Sequence, residues 1–117
     1  MPEAKAIEFK DERKAGRLLA VEGGAVVGFI AYFVLAEAPG ALVAVHTVVE
    51  PGHEGRGIGG DLVKTFYEIA AAEGVPVVPL CPYAAGWAAR HPEQAPEAPA
   101  EVVEAAKLQL ESDPSLW

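Results

Sequence analysis

Four glycines within six residues mark the segment of the chain with the clearest chemical potential. They lie in the loop from His53 to Gly60, at positions 55, 57, 59 and 60. Glycine lets backbone N–H groups converge without obstruction, and the N-terminus of a following helix adds partial positive charge. The loop separates a strand pattern from an amphipathic helical pattern, so it predicts a site for a phosphate or pyrophosphate. The simpler alternative is a strand-to-helix turn that tolerates glycine.

The features that the loop lacks narrow the class of phosphate-bearing ligand that it could bind. It has no Gly-Lys-Ser/Thr sequence, so it is not a Walker A loop. Gly55, Gly57 and Gly60 satisfy the dinucleotide pattern, but the acid expected about 20 residues later is replaced by Leu80-Cys81-Pro82. These departures disfavour a dinucleotide site. A nucleotide-binding fragment that prefers NAD or ATP is kept as a weaker alternative hypothesis.

The elements that hold this loop follow from the hydrophobic pattern. Before the loop, the pattern predicts three antiparallel strands, and after it the period changes to that of a helix. Gly23-Gly24 is a hairpin signal between the first two of these strands. The predicted strands are Arg17–Glu22, Ala25–Leu35, Ala41–Val49 and Val75–Leu80, and the predicted helices begin near Ile58, Tyr83 and Glu101. The fold class is therefore α+β (mixed α/β), with an antiparallel meander followed by β-α-β-α and a helical tail.

Composition excludes several classes of function. The 117 residues carry a net charge of −8, so unaided nucleic-acid binding is not expected. A single cysteine rules out an internal disulfide or a zinc cluster built on several cysteines. The longest apolar run, Ala25 to Ala36, is shorter than the roughly 20 residues that a membrane span needs. The N-terminus does not resemble a secretory signal. We expect no membrane partner and a cytoplasmic protein.

The acidity is concentrated in the last part of the chain. Residues 92–117 hold six acids and one lysine, a net of −5, so the rest of the chain is close to neutral. We predict a compact domain over residues 1–93. Residues 94–117 form an acidic, proline-rich linker and a C-terminal helix that packs on the domain or extends from it.

Several ordered motifs resemble one small branch of the GNAT N-acetyltransferase superfamily. The branch has a His-Thr strand, a Glu-Gly-x-Gly-Ile-Gly loop, a Pro-x-Cys strand end and an Arg-(His/Asn)-Pro ending. These correspond here to Val45–Val49, Glu54–Gly59, Val78–Tyr83 and Arg90–Glu93. The resemblance covers about residues 17–93. It implies a GNAT-like acyl-CoA N-acyltransferase fold, in which the strands on either side of the loop helix splay apart around acetyl-CoA.

The resemblance also implies which residues bind acetyl-CoA or coenzyme A. The backbone of the strand before the loop would bind the pantetheine arm, and the loop N–H groups would hold the pyrophosphate. The coenzyme-binding residues would be Val48, Val49, Glu54, Gly55, Arg56, Gly57, Ile58, Gly59 and Gly60. The superfamily usually has Gln or Arg where this chain has Glu54, which affects a side-chain contact and leaves the backbone cradle intact.

Three residues are candidates for catalysis. Tyr83 lies on the helix that usually carries the tyrosine acid of GNAT enzymes, although earlier than usual. Cys81 ends the strand beside the expected thioester, either as a nucleophile or as a small buried hydrophobe. His46 is either a base near Cys81 or a hydrogen-bonded core histidine.

The leading functional hypothesis is an N-acetyltransferase. It would move an acetyl group from acetyl-CoA to a primary amine on a small molecule or a protein. The alternative is a coenzyme-A-binding or partner-interaction module with little catalysis, motivated by the displaced tyrosine, Glu54 and the acidic tail. Exposed edges in so small a sheet also allow a homodimer.

Overall fold

The computed structural model describes residues 7–36, 40–113 and 115. The strands in this part of the chain are β1 (Ile7–Glu12), β2 (Arg17–Glu22), β3 (Ala25–Val34), β4 (Leu42–Val49) and β5 (Val77–Pro79). The α-helices are α1 (Ile58–Glu73), α2 (Pro82–Arg90) and α3 (Ala100–Ser112), and a short 3-10 turn spans Arg13–Ala15. None of the described helices has the length and apolar content needed to cross a membrane.

The five strands form one sheet in the order β1-β2-β3-β4-β5. The first four are antiparallel neighbours, and β5 joins β4 in parallel after the crossover through α1. The mixed α+β prediction is therefore confirmed. The first strand was not among the predicted elements. Its Ile7 and Phe9 are half-buried against the core, whereas its other residues are exposed.

Glycine conformation sets the hairpin and one end of α1. Gly23 and Gly24 both have positive φ, 59° and 84°, which suits the two-residue turn between β2 and β3. Gly74 ends α1 in the left-handed conformation at φ 72°, and its N–H bonds back to the last turn. The hairpin at Gly23-Gly24 follows the prediction from sequence.

Helices cover the two faces of the sheet unequally. On one face α1 and α2 enclose the larger core, which includes Leu62, Phe66 and Trp87. On the other face α3 covers one end of β3, β4 and β5, where its Val102, Ala106 and Leu110 join a second core. The C-terminal helix therefore packs on the sheet. The domain boundary at residue 93 stays a prediction.

An ion-pair network ties the β1–β2 turn to the end of α1. Arg13 donates from both terminal nitrogens to Glu73, at 2.9 and 2.6 Å, and also to Asp11 at 3.2 Å. The Tyr32 hydroxyl donates to Asp11 as well. Burial and this hydrogen bond raise the pKa of Tyr32 to about 12. The hydrogen bonds from Arg13 lower the pKa of the Glu73 carboxyl.

The pairing of β4 with β5 ends halfway along β4. The paired residues are Leu42 with Val77, Val43 with Val78, and Ala44 with Pro79. The N–H groups of Leu80 and Cys81 then both donate to the carbonyl of Ala44. Beyond this point β4 continues to Val49 without a partner in β5, and we call the space beside these last residues of β4 the slot. The resemblance implied a splayed strand pair at this place.

Candidate functional site

The N-terminus of α1 opens at the end of β4 and carries unused hydrogen-bond donors. Its N-cap is Gly57, which supplies no side-chain cap. Within the described chain, the N–H groups of residues 54–60 donate no hydrogen bond, and Asp61 is the first to bond, to the carbonyl of Gly57. Such orphan donors at a positive helix end favour an anion.

The glycines of this loop serve two different purposes. Gly55 and Gly57 have φ of 82° and 81°, with open space where a Cβ would stand, so they are required by backbone conformation. Gly59 is required by space: a Cβ there would lie 2.7 Å from the hydroxyl oxygen of Tyr83 and 2.8 Å from its Cζ. At Gly60 a Cβ would meet Trp87 at an ordinary 3.5 Å.

Tyr83 stands over the loop in a pocket of about 470 Å³. Its side chain is 47% exposed. The residues that line the pocket are Val49, His53, Glu54, Gly55, Gly57, Ile58, Gly59 and Tyr83. The structure therefore brings the end of β4, the glycine loop and Tyr83 together. The Glu54 carboxylate accepts from the N–H of Gly52 at 3.0 Å, so it is held within its own turn.

Gly28 allows α1 to lie close to the sheet at this point. Gly28 pairs with Val49, the last residue of β4. A Cβ on Gly28 would lie 2.9 Å from the carbonyl oxygen of Val48 and 3.3 Å from side-chain atoms of both Ile58 and Leu62. A glycine within a strand commonly marks such a close approach.

Cys81 forms the cap of the second helix at the slot. Its buried Sγ accepts from the N–H of Ala84 at 3.2 Å, and Pro82 follows at the first helical position. The Thr47 hydroxyl lies 3.2 Å from the same sulfur. The described contacts of the sulfur are thus those of a helix cap, held between α2 and β4.

His46 lies on the opposite face of the sheet from Cys81. It pairs with Ala31, whereas the next pair along is Ala44 with Tyr32, so Val45 is an extra residue in a β-bulge. Directly paired residues share a face, which places His46 away from the core formed by Ala44, Tyr32 and Cys81. His46 is exposed. The structure brings Thr47, and not His46, to the sulfur.

The profile of the GCN5-related N-acetyl-transferase family matches residues 17–96 of the chain. The chain belongs to this GNAT family. The match spans β2 to the segment after α2, and so includes β4 and β5, the glycine loop and Tyr83. No curated protein has significant sequence similarity to the chain.

Solved structures share the GNAT fold. A ribosomal-protein-alanine N-acetyltransferase from Brucella melitensis biovar Abortus 2308 is 24% identical in sequence and has a TM-score of 0.55. The alignment covers 74% of this chain and 66% of that protein's chain. An aminoglycoside acetyltransferase from an uncultured soil metagenomic sample, in complex with sisomicin, has 18% identity and a TM-score of 0.55, covering 72% and 60%. The chain thus spans less than two thirds of the length of these structures.

Two residues that contact the candidate site were not predicted from the sequence. Thr47 was quoted only as part of a motif, and its contact with Cys81 depends on the bulge at Val45. Glu22 ends β2 and binds Arg56 of the glycine loop, 34 residues away. No sequence signal connects these two positions, because their proximity depends on how the hairpin and the loop meet.

Proposed function

We propose that the chain is an N-acetyltransferase that moves an acetyl group from acetyl-CoA to a primary amine of a small molecule or a protein. The observation that carries this proposal is the open N-terminus of α1, which faces the pocket under Tyr83 beside the slot. Family membership supports an acetyltransferase, and the geometry supports where the coenzyme binds.

The residues at this end of the slot fit an anionic coenzyme. The N–H groups of residues 55–60 would hold the pyrophosphate, since no described acceptor uses them. The backbone of Val48 and Val49 would contact the pantetheine arm, along the part of β4 that β5 does not cover. When bound, acetyl-CoA supplies an activated acetyl thioester.

Two candidate catalytic residues have distinct roles in the proposed transfer. Tyr83 is exposed beside the α1 N-terminus, and its hydroxyl would donate a proton to the leaving sulfur. His46 is exposed on the outer face of β4, next to the slot, and would accept the proton that the amine must lose. The acceptor would then approach from the face that α1 and α2 do not cover.

Cys81 lines the same slot, and we propose that it acts by position. Its sulfur caps α2 through the N–H of Ala84, and Tyr83 stands two residues further along the same helix. The cap would therefore hold Tyr83 in place. Direct transfer to the amine leaves this cap intact, whereas an acetylated Cys81 would lose it.

The acceptor class has two candidates. The similar solved structures are, by name, a ribosomal-protein-alanine N-acetyltransferase and an aminoglycoside acetyltransferase. We carry over amines of both kinds, protein and small molecule, as substrates to be tested.

The second candidate function is a coenzyme-A-binding module with little catalysis. It is favoured by the commitment of the Cys81 sulfur to a helix cap and by the separation of His46 from that sulfur. This candidate shares the coenzyme site with the first and differs in lacking transfer.

Thermal unfolding with acetyl-CoA, CoA, NAD and ATP in parallel tests the site first. A ligand at 100 times its dissociation constant adds about 2.7 kcal/mol to stability. We expect this gain with acetyl-CoA and CoA alone. A gain with NAD or ATP, or no gain, would refute the proposed site.

Transfer is then tested by mass spectrometry of amine-bearing peptides and aminoglycosides incubated with acetyl-CoA. We expect the wild type to acetylate an amine, and Tyr83→Phe to lose about ten-fold or more of the rate. Coenzyme binding without any transfer would support the binding module instead.

A further inference from the structure

The cation of the glycine loop is held by a carboxylate from another part of the sheet. Arg56 donates from Nη1 to one carboxylate oxygen of Glu22 at 3.0 Å and from Nη2 to the other at 2.5 Å. Glu22 is the more buried partner, with a side chain 16% exposed against 39% for Arg56. This ion pair joins the end of β2 to the loop before α1.

A third donor of the same guanidinium is also used. Nη1 of Arg56 lies 2.9 Å from Nδ1 of His53. Since the guanidinium always donates, Nδ1 is the acceptor, which places the proton of the neutral ring on Nε2. The hydrogen bonds to Glu22 raise the pKa of Arg56 further, so the guanidinium keeps its charge.

Counting donors shows what is left over. A guanidinium has five N–H groups in a fixed plane. One N–H on Nη1 and one on Nη2 donate to Glu22, and the second N–H on Nη1 donates to His53. No described residue accepts from the other two, the Nε–H and the second Nη2–H, which are parallel and point outward along one edge of the planar group. Two parallel N–H groups match two oxygens of a phosphate.

We propose that Glu22, assisted by His53, is a positioning residue that presents the remaining side of the Arg56 guanidinium as a preformed fork for one phosphate of the coenzyme. The inference rests on the proposed coenzyme site and adds a residue that lies outside the glycine loop. Arg56 stands between Gly55 and Gly57, among the N–H groups that no described acceptor uses.

Two opposed effects decide the sign of the test. A free arginine side chain loses conformational entropy when a ligand immobilises it, and a clamp that has already ordered it removes that cost from binding. The charge of Glu22 also repels phosphate, and at 0.15 M salt the Debye length is about 8 Å, so screening across one guanidinium removes only part of this repulsion. The inference requires that ordering outweighs the repulsion that is left, and the sign of the Glu22→Gln effect on affinity decides this.

The test is coenzyme A affinity at 0.15 M salt, by calorimetry, for the wild type, Glu22→Gln, Arg56→Lys and the double variant. We expect Glu22→Gln and Arg56→Lys each to weaken binding by about 3- to 10-fold. We expect Glu22→Gln to cause no further loss in the Arg56→Lys background, because it acts through the fork. At 0.02 M salt the loss from Glu22→Gln should shrink, since repulsion by Glu22 then weakens the wild type more.

Glu73→Gln is the matched control. It removes the same charge from a second bidentate arginine pair among the described residues, Arg13–Glu73, at the far end of α1. It should leave coenzyme affinity unchanged. Melting temperatures of all variants show whether each one folds.

Each outcome bears on the inference. If folded Glu22→Gln binds coenzyme A as tightly as the wild type or more tightly, the positioning role is wrong. It is equally wrong if Glu22→Gln costs as much in the Arg56→Lys background as alone. If the wild type binds no coenzyme A, the proposed function falls and takes this inference with it. Binding by the wild type with unchanged variants overturns the inference alone.

Discussion

The two helices that follow β4 and β5 begin close together at the slot, and they treat their N-termini in opposite ways. Helix α1 has Gly57 as its N-cap, and within the described chain no side chain caps it and no acceptor uses its first N–H donors. Helix α2 is capped by the Cys81 sulfur, and Pro82 has no N–H that would need an acceptor. One N-terminus is open to a ligand, and the other is closed by the chain itself.

The difference assigns separate tasks to similar pieces of backbone. The open end of α1 has N–H donors to offer, and no side chain caps them within the described chain. At the closed end of α2 the N–H groups of Ala84 and Ala85 both donate to Cys81, and the Tyr83 hydroxyl stands 2.7 Å from where a Cβ of Gly59 would be. In the proposed site the two ends are therefore complementary: α1 would bind the coenzyme, and α2 carries the side chain above it.

The largest expected effect comes from Gly59→Ala, which would push the Tyr83 side chain away from the N-terminus of α1. The new Cβ would overlap the Tyr83 ring, which is half exposed and can swing outward, so the fold survives while Tyr83 leaves the loop. Misplacing a reacting group in this way costs about ten-fold or more in acetyl-transfer rate. The measurement is the single-turnover rate of Gly59→Ala, Tyr83→Phe and the double variant.

Gly86→Ala is the control for that change. It is the same substitution within α2, where the new Cβ would meet only the end of the Arg90 side chain at 3.5 Å. It should gain up to about 1 kcal/mol of stability from helix propensity and keep the transfer rate. If Gly59→Ala and Tyr83→Phe multiply in the double variant, the glycine does not act through Tyr83.

Removing the side-chain cap of α2 is expected to have the next largest effect. Cys81→Ala removes the cap of α2 and should cost about 1 kcal/mol of unfolding free energy. Cys81→Ser keeps an acceptor at the cap and should cost less. Urea denaturation of both variants measures these costs. Mass spectrometry of the wild type with acetyl-CoA should show no acetyl-enzyme, and an acetyl group on Cys81 would contradict the assignment of the sulfur to capping.

A smaller effect is expected from Thr47→Val, which removes the other partner of the sulfur. The shape of the side chain is nearly kept and the contact with Cys81, 3.2 Å long, is lost. We expect a loss of about 0.5–1 kcal/mol, typical of one hydrogen bond. The same denaturation experiment measures it. In the Cys81→Ala background Thr47→Val should cost almost nothing, and an equal cost in both backgrounds would show that Thr47 acts independently of the sulfur.

The smallest effect concerns the opposite end of α1, where Glu73 binds Arg13. The pKa of the Glu73 carboxyl is lowered in the folded chain, so the pair adds stability above its ordinary value of 4.5 and loses it as pH falls through the lowered value. Because the pair is exposed and screened, the contribution is at most about 1 kcal/mol. Urea unfolding at pH 7 and pH 3 should show a larger drop for the wild type than for Glu73→Gln. Equal drops would mean that the pair adds no stability.

Much of the fold follows from periodicity, and the part that fails has one local cause. Leu42 and Ala44 face the core of α1 and α2, so strict alternation would place His46 on the same face, beside Cys81. The extra residue Val45 shifts the alternation by one and gives that place to Thr47. Nothing in the sequence of β4 indicates a bulge, since valine fits a regular strand equally well.

The glycine loop shows the same division between local and distant information. Its position before α1 and its open donors follow from glycine spacing and the helical pattern that begins at Ile58. The Arg56–Glu22 pair does not, because it joins residues of a hairpin and a loop that only the folded sheet brings together. The strand β1 was missed for a simpler reason: its Ile7 and Phe9 are only half-buried among charged residues, which gives a weak strand signal.

The short length of β5 has a consequence for the order of folding. The pairs β1–β2, β2–β3 and β3–β4 join neighbours in sequence, whereas the three residues of β5 reach β4 only after the whole of α1. Contacts between distant residues carry a larger loop-closure cost, so the meander should form before β5 docks. The slot then assembles after the meander, and in native-state hydrogen exchange the amides of β5 should open before those of β3.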